Sequence, residues 1–173
     1  RHVPIPHFRR LLIPLLNDPN AEVAEEAMRS MQKLGASDFM FIPTLISLLR
    51  NRRRKTSARE LLVGFGEPVL PILAHFLRDP GEDLWIRRHI PETMARIPCR
   101  KAMDILVEAL TEKDGFLRFH VIKALERIHR IKPEIPFDAR RVESLIQEEC
   151  AHYREFRLLY QILFDSRGYP KDS

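Results

Sequence analysis

The sequence predicts an all-α protein, a stacked α-solenoid of about four helical hairpins closed by one long C-terminal helix. Three observations lead there. A short apolar motif recurs at Leu15-Leu16, Leu48-Leu49, Phe76-Leu77 and Ala109-Leu110, in steps of 33, 28 and 33 residues. After each motif comes a polar turn and then a second apolar series spaced three and four residues apart, which places those side chains on one helix face. Only six glycines occur in 173 residues, so the chain has few sites for the tight turns that join antiparallel strands.

The elements follow in order. The first unit, about residues 4–35, has a helix ending at Leu15-Leu16, the turn Asp18-Pro19-Asn20, and a second helix with Val23, Ala27, Met31 and Leu34 on its apolar face. The second, about 40–66, turns at Asn51-Arg52-Arg53 and is two residues short there, so the stack is expected to be irregular. In the third, about 67–98, the turn is Asp79-Pro80-Gly81 and the apolar series is Ile86, Ile90, Met94 and Ile97. The fourth, about 99–132, turns at Lys113-Asp114-Gly115 and continues with Leu117, Val121, Leu125 and Ile128. A repeat near 30 residues with two helices per unit buries each apolar face only by stacking on the next unit.

Punctuation agrees with this division. Gly35 and Gly66 stand where second helices should stop, as left-handed C-terminal caps. Pro43 and Pro71 stand near the starts of first helices, where a missing amide costs least. Pro91 lies within the third unit's second helix, expected over about 83–97, and should remove a hydrogen bond and bend it. Beyond Pro133 and Pro136 an amphipathic helix is expected over 138–165. Its stripe is Val142, Leu145, Ile146, Tyr153, Phe156, Leu159, Tyr160 and Leu163, and it should cap the last exposed face. The opening helix has no such cover, and the chain begins at Arg1 and closes in a polar tail. It is therefore expected to be one domain, residues 1–173, cut from a larger protein.

Composition narrows the class. The chain is 45% hydrophobic and 31% charged, a globular balance rather than a disordered one. No apolar run approaches the roughly 20 residues needed to cross a bilayer, so no membrane insertion by this segment is expected. Cys99 and Cys150 have no metal-ligand spacing and read as ordinary thiols of a reducing compartment, which points to the cytoplasm. The formal net charge is +5, and it is concentrated. Residues 50–132 carry eighteen basic and eleven acidic side chains, whereas residues 1–49 balance at five each. An anionic partner should be sought along that middle stretch.

An apolar first helix, an Asp-Pro turn, then Val or Ile, Arg and an Ala- or Ile-rich second helix resembles HEAT repeats, most of all the short bacterial kind first noted in phycobilisome lyases. The resemblance spans about residues 10–130 and implies a right-handed superhelix. The segment from Ile86-Arg87-Arg88-His89-Ile90-Pro91 to Ile97-Pro98, followed by Asp114-Gly115-Phe116-Leu117-Arg118, is similar to the soluble HEAT domains attached to bacterial nucleotide-translocase-like membrane proteins. That similarity implies a cytoplasmic regulatory or assembly role beside a transporter portion.

The candidate functional residues are cationic and aromatic. Arg52, Arg53, Arg54 and Lys55 belong to a run from Arg50 to Arg59 that contains no acid; it could hold an anionic surface, but a solvated turn with a basic helix start is the favoured reading. Trp85 beside Arg87 and Arg88 is the second group, with Arg118 in the next unit at the place of Arg87 and Lys123 at the place of Glu92. In HEAT repeats, Asp and Arg at the positions of Asp18, Asp79, Asp114, Arg87 and Arg118 form inter-repeat ladders and helix caps, and that structural role competes with a ligand-binding one. His89 and His120 share an offset and should be neighbours, but two imidazoles are too few for a zinc site. No phosphate loop, nucleophile elbow or His-Glu-x-x-His pair is present.

The sequence therefore leads to a non-enzymatic scaffold without a cofactor, binding a protein partner or the rest of its own parent chain through these residues. The alternative is a nucleic-acid-binding HEAT protein of the basic-groove kind. Against it, the rows expected to line the concave side (Glu25, Thr56, Arg88 and Phe119, then Arg29, Glu60, Glu92 and Lys123) mix both signs, whereas a phosphate track should be denser in cations. A bilin-lyase-like HEAT enzyme is a further alternative, for which no residue supplies a convincing motif.

Overall fold

The computed structural model describes residues 6–34, 39–136 and positions 140, 142–144, 147, 148, 150, 151 and 154, and every regular element among them is helical. The helices are α1 (Pro6–Leu16), α2 (Ala21–Leu34), α3 (Ile42–Ser47), α4 (Lys55–Gly64), α5 (Leu70–Arg78), α6 (Leu84–Met94), α7 (Arg100–Glu108) and α8 (Gly115–Ile131). The chain divides into two compact units, Arg1–Pro136 and Phe137–Ser173. The expected long C-terminal helix falls in the second. Its described positions are helical, but most of its apolar stripe, Leu145 to Leu163, lies outside the described residues, as do Gly35 and the first five positions.

Within the first unit, α1 packs on α2, α3 on α4, α5 on α6 and α7 on α8. The second member of each pair also packs on the next, so that α2, α4, α6 and α8 touch in succession. The recurring apolar motif explains the inner layer. Its second residue is wholly or almost wholly buried every time, at Leu16, Leu49, Leu77 and Leu110. At two of the four motifs the last turn tightens into a 3-10 helix, Leu48–Arg50 and Ala109–Thr111. This shortens α3 to six residues between that turn and another at Phe39–Phe41. Tightened terminal turns are a common way to satisfy the last carbonyls of a helix.

The second helices bury the expected series: Ile86, Ile90 and Met94 in α6, with Ile97 just beyond its end, then Leu117, Val121, Leu125 and Ile128 in α8. In α2 the face is turned. Ala27 and Met31 are buried as expected, but Val23 is 36% exposed, and Ala24 and Met28 complete the buried set. On a helical wheel Ala24, Ala27, Met28 and Met31 form one arc, and Val23 lies about 40° beyond its Ala27 edge. This arc, not the one centred on Val23, meets α1 and α4.

Proline and glycine act largely as punctuation. Pro43 and Pro71 occupy the first positions of α3 and α5. Pro91 is buried inside α6 and cannot donate to the Arg87 carbonyl; the helix ends soon afterwards at Met94, three residues short of the expected end. Gly66 follows α4 with φ +66° and ψ −153°. The positive φ was anticipated, but the ψ places it in the extended left-hand region reserved for glycine rather than in the left-handed helical well.

Candidate functional site

The candidate site is built on α4, α6 and α8 and on the turns that precede them. Aspartates cap two of these helix starts: Asp114 as the sequence suggested, and Asp83 in place of the expected Asp79, which instead closes its own turn by accepting from the Gly81 amide at 2.9 Å. Asp83 accepts from the Trp85 amide at 2.8 Å and Asp114 from the Leu117 amide at 2.7 Å. Each also receives an arginine from the preceding hairpin: Arg50 reaches Asp83 at 3.3 Å, and Arg88 grips Asp114 through two nitrogens at 3.1 and 2.8 Å. The Arg88 fork and the backbone donor together hold the Asp114 carboxyl below the usual carboxylate range, and the same pairing raises the Arg88 guanidinium.

Several candidate cations are occupied in this way. Arg87 is buried; its Nε donates to the Leu77 carbonyl at 2.8 Å and Nη2 to Glu112 at 2.6 Å. Arg118 donates through Nη1 to the backbone carbonyls of Glu112 and Lys113. Arg54 turns inward and donates to the carbonyls of Leu16 and Asp18 at the end of α1. Arg52 and Arg53 are exposed in the turn, which is closed by Asn51 Oδ1 accepting from the Arg53 amide at 3.0 Å, and Lys55 is half-buried at the start of α4. The run without acids is thus not one surface: Arg54 and Arg59 leave it for the interior.

The aromatic candidates come together differently. Trp85 is 64% exposed and Phe116 68% exposed. The Arg88 guanidinium lies 5.7 Å from the Trp85 ring and 5.1 Å from that of Phe116, while remaining bound to Asp114. Two turns' worth of α6 and α8 therefore present a rigid arginine flanked by two open rings. Beside them, Lys123 sits 5.2 Å from the ring of Phe119, which is also exposed. Phe116 was legible only as part of a family-like segment, because a lone phenylalanine after a turn glycine gives no sign of which way it faces.

Sequence reasoning missed a second cluster on the same helices. Arg59, only 4% exposed, donates from Nε to Thr93 Oγ1 at 3.3 Å and pairs through Nη1 with Glu92 at 3.2 Å. Glu92 also receives Arg96 at 3.3 Å. Burial lowers the Arg59 pKa first; Glu92 opposes that, and the nearby charges of Arg96 and Arg127 add to it. A signal existed, since Arg59 stands between Ala58 and Leu62 on the buried side of α4, but the surrounding basic run disguised it.

His89 and His120 are near enough to influence one another, as their shared offset implied. Burial is the main reason both titrate below an ordinary imidazole; Lys55 and Arg59 add to it at His89, and Arg88 at His120. Among the described residues no group of three or more His, Cys, Asp or Glu side chains is arranged to hold a metal ion. Cys99 and Cys150 are free thiols, Cys99 capping α7 weakly by accepting from the Ala102 amide at 3.4 Å. No single helix among the described residues is long and apolar enough to cross a membrane. No protein-family model matches the chain, and no characterised protein matches its sequence.

Proposed function

We propose that this chain is a HEAT-like solenoid of about four hairpins that acts as a non-enzymatic scaffold for a protein partner. In this reading it is the cytoplasmic regulatory or assembly portion of a bacterial translocase-like membrane protein. The stacking of α2, α4, α6 and α8 in succession supports a repeat architecture. The observation that carries the binding role is the exposed Trp85–Arg88–Phe116 cluster. Tryptophan and arginine are enriched at the energetic centres of protein interfaces, and phenylalanine within interfaces. Here the arginine is already fixed by Asp114, so docking need not order it, which lowers the entropic cost of association.

The nucleic-acid alternative is weakened by the same geometry. Arg87, Arg88 and Arg118 all have partners inside the fold, which leaves fewer cations for a phosphate backbone than its salt-dependent affinity demands.

The test is retention of partners by the full-length parent protein carrying Trp85→Ala together with Phe116→Ala. Loss of two interface anchors should weaken retention by about thirtyfold or more while leaving thermal unfolding almost unchanged, because both rings are exposed. Retention equal to that of the unaltered protein refutes this surface as the docking site. For the alternative, binding of a short duplex with a steep salt slope at about 50 mM salt would replace the scaffold reading.

A further inference from the structure

A groove of about 310 Å³ opens between α6 and α8, lined by Glu92, Phe119, His120, Lys123, Arg127 and Arg130 among others. Its charge is unbalanced. Glu126 is taken up by Arg130 at 3.8 Å. Of the other charged groups on its wall, Glu92 is the one carboxylate, and the cations are Arg127 and Lys123. Arg59 and Arg96 share Glu92 from two sides. Arg127 has no carboxylate within ion-pair distance among the described residues, and Lys123 has only the Phe119 ring.

The hydrogen-bond accounting is incomplete in the same place. Arg59 Nη2 and Arg96 Nε are both buried, and neither donates to anything. A guanidinium offers five donors, and leaving a charged one buried without an acceptor costs more than leaving a neutral group so. Proteins seldom retain such donors without a reason. Here two fall on the arginines that pair with Glu92, itself a residue of the groove wall.

We propose that this groove binds the phosphate group of a small ligand, held by Arg127 and Lys123 on its wall, with Arg59 and Arg96 behind them neutralising Glu92. A phosphate monoester carries close to two negative charges at neutral pH and three strong acceptor oxygens, which suits a cation excess larger than one. Guanidinium forks match phosphate oxygens in geometry as well as charge. The groove is roomier than a bare ion requires, and the exposed Phe119 ring at its edge offers a face for an apolar or planar remainder. This site is separate from the Trp85–Phe116 surface, so its failure or success leaves the scaffold reading untouched.

The experiment is an NMR titration of the protein at constant ionic strength with inorganic phosphate, phenyl phosphate and benzoate, following the ring signals of His120 and Phe119. Phosphate should give saturable shifts with a millimolar constant and raise the pKa of His120 by placing an anion beside it. Phenyl phosphate should bind more tightly than phosphate, and benzoate more weakly than either. Arg127→Gln should weaken phenyl phosphate about tenfold, and the exposed Lys123→Gln provides a second variant that leaves the buried arginines in place. Lys101→Gln, on the exposed side of α7, should change nothing. The proposal is overturned if shifts fail to saturate, if benzoate binds as well as phenyl phosphate, or if neither groove variant weakens binding.

Discussion

Replacing Arg87 with methionine removes the charge but keeps most of the side-chain volume, so the loss reports on hydrogen bonds rather than on a cavity. Arg87 bridges the end of α5, through the Leu77 carbonyl, and the turn before α8, through Glu112. Deleting one partner of a buried pair costs about 3–5 kcal/mol when the survivor stays dry. The Glu112 side chain is 22% exposed, so water restores part of its solvation, and about 2–3 kcal/mol is expected. The control is Arg78→Met, whose partner is Glu108; those side chains are 49% and 62% exposed, and about 0–1 kcal/mol should be lost. In urea, with a slope of about 2 kcal/mol/M, the midpoint should fall by about 1–1.5 M for Arg87→Met and by under about 0.5 M for Arg78→Met. Adding Glu112→Gln to Arg87→Met should recover part of the loss, because no unpaired carboxylate remains. Equal midpoints for the two single variants would refute the claim that the buried guanidinium ties α5 to the next hairpin.

Three further outcomes follow from local geometry. Asp114→Ala removes both the cap on α8 and the anchor of Arg88, and should cost about 2 kcal/mol in denaturation experiments. Because the Asp114 pKa is depressed in the fold, its contribution is complete above the unfolded carboxylate value of about 3.9 and is lost as pH falls through the lower folded value; Asp114→Asn should flatten that acid limb. Gly66→Ala should cost about 1–3 kcal/mol from backbone strain alone, since an added Cβ would come no closer than 3.8 Å to Pro68; an unchanged melting temperature would contradict this. His89 and His120 titrate below their unfolded value of about 6.5. Stability should therefore decline as pH drops from there toward the folded values, and the double variant His89→Gln, His120→Gln should lose most of that slope.

Patterning made the helices legible, and side-chain direction decided what was not. The alternation of three and four residues located the buried faces of α6 and α8, because many apolar positions there agree. In α2 the candidates are fewer and smaller, and the expected face was rotated enough to leave Val23 about 40° past the buried arc. Asp114 was legible as a cap because it stands directly before the apolar series of α8, whereas before α6 the turn Asp79-Pro80-Gly81 drew attention to Asp79 and the cap is Asp83, four residues on. Arg54, half-buried, was not legible as turning toward α1, because nothing local in a run of cations distinguishes it from its exposed neighbours, and the same run disguised the apolar setting of the buried Arg59. The groove was invisible for a related reason: Lys123, Arg127 and Arg130 come from α8, while Glu92 on the facing α6 is engaged by Arg59 of α4 and by Arg96, and no single segment shows that arrangement. The histidine pair was foreseen from a shared offset, since equal offsets on stacked helices bring residues together.

Asp83 and Asp114 each serve two structures at once: the first turn of their own helix and an arginine arriving from the hairpin before. Nucleation of α6 or α8 and its attachment to the previous layer thus draw on the same carboxylate. A hairpin that detaches must also fray at its beginning, and one that frays must also detach. Such double use makes piecemeal melting expensive, and it favours a chain whose layers are gained and lost together.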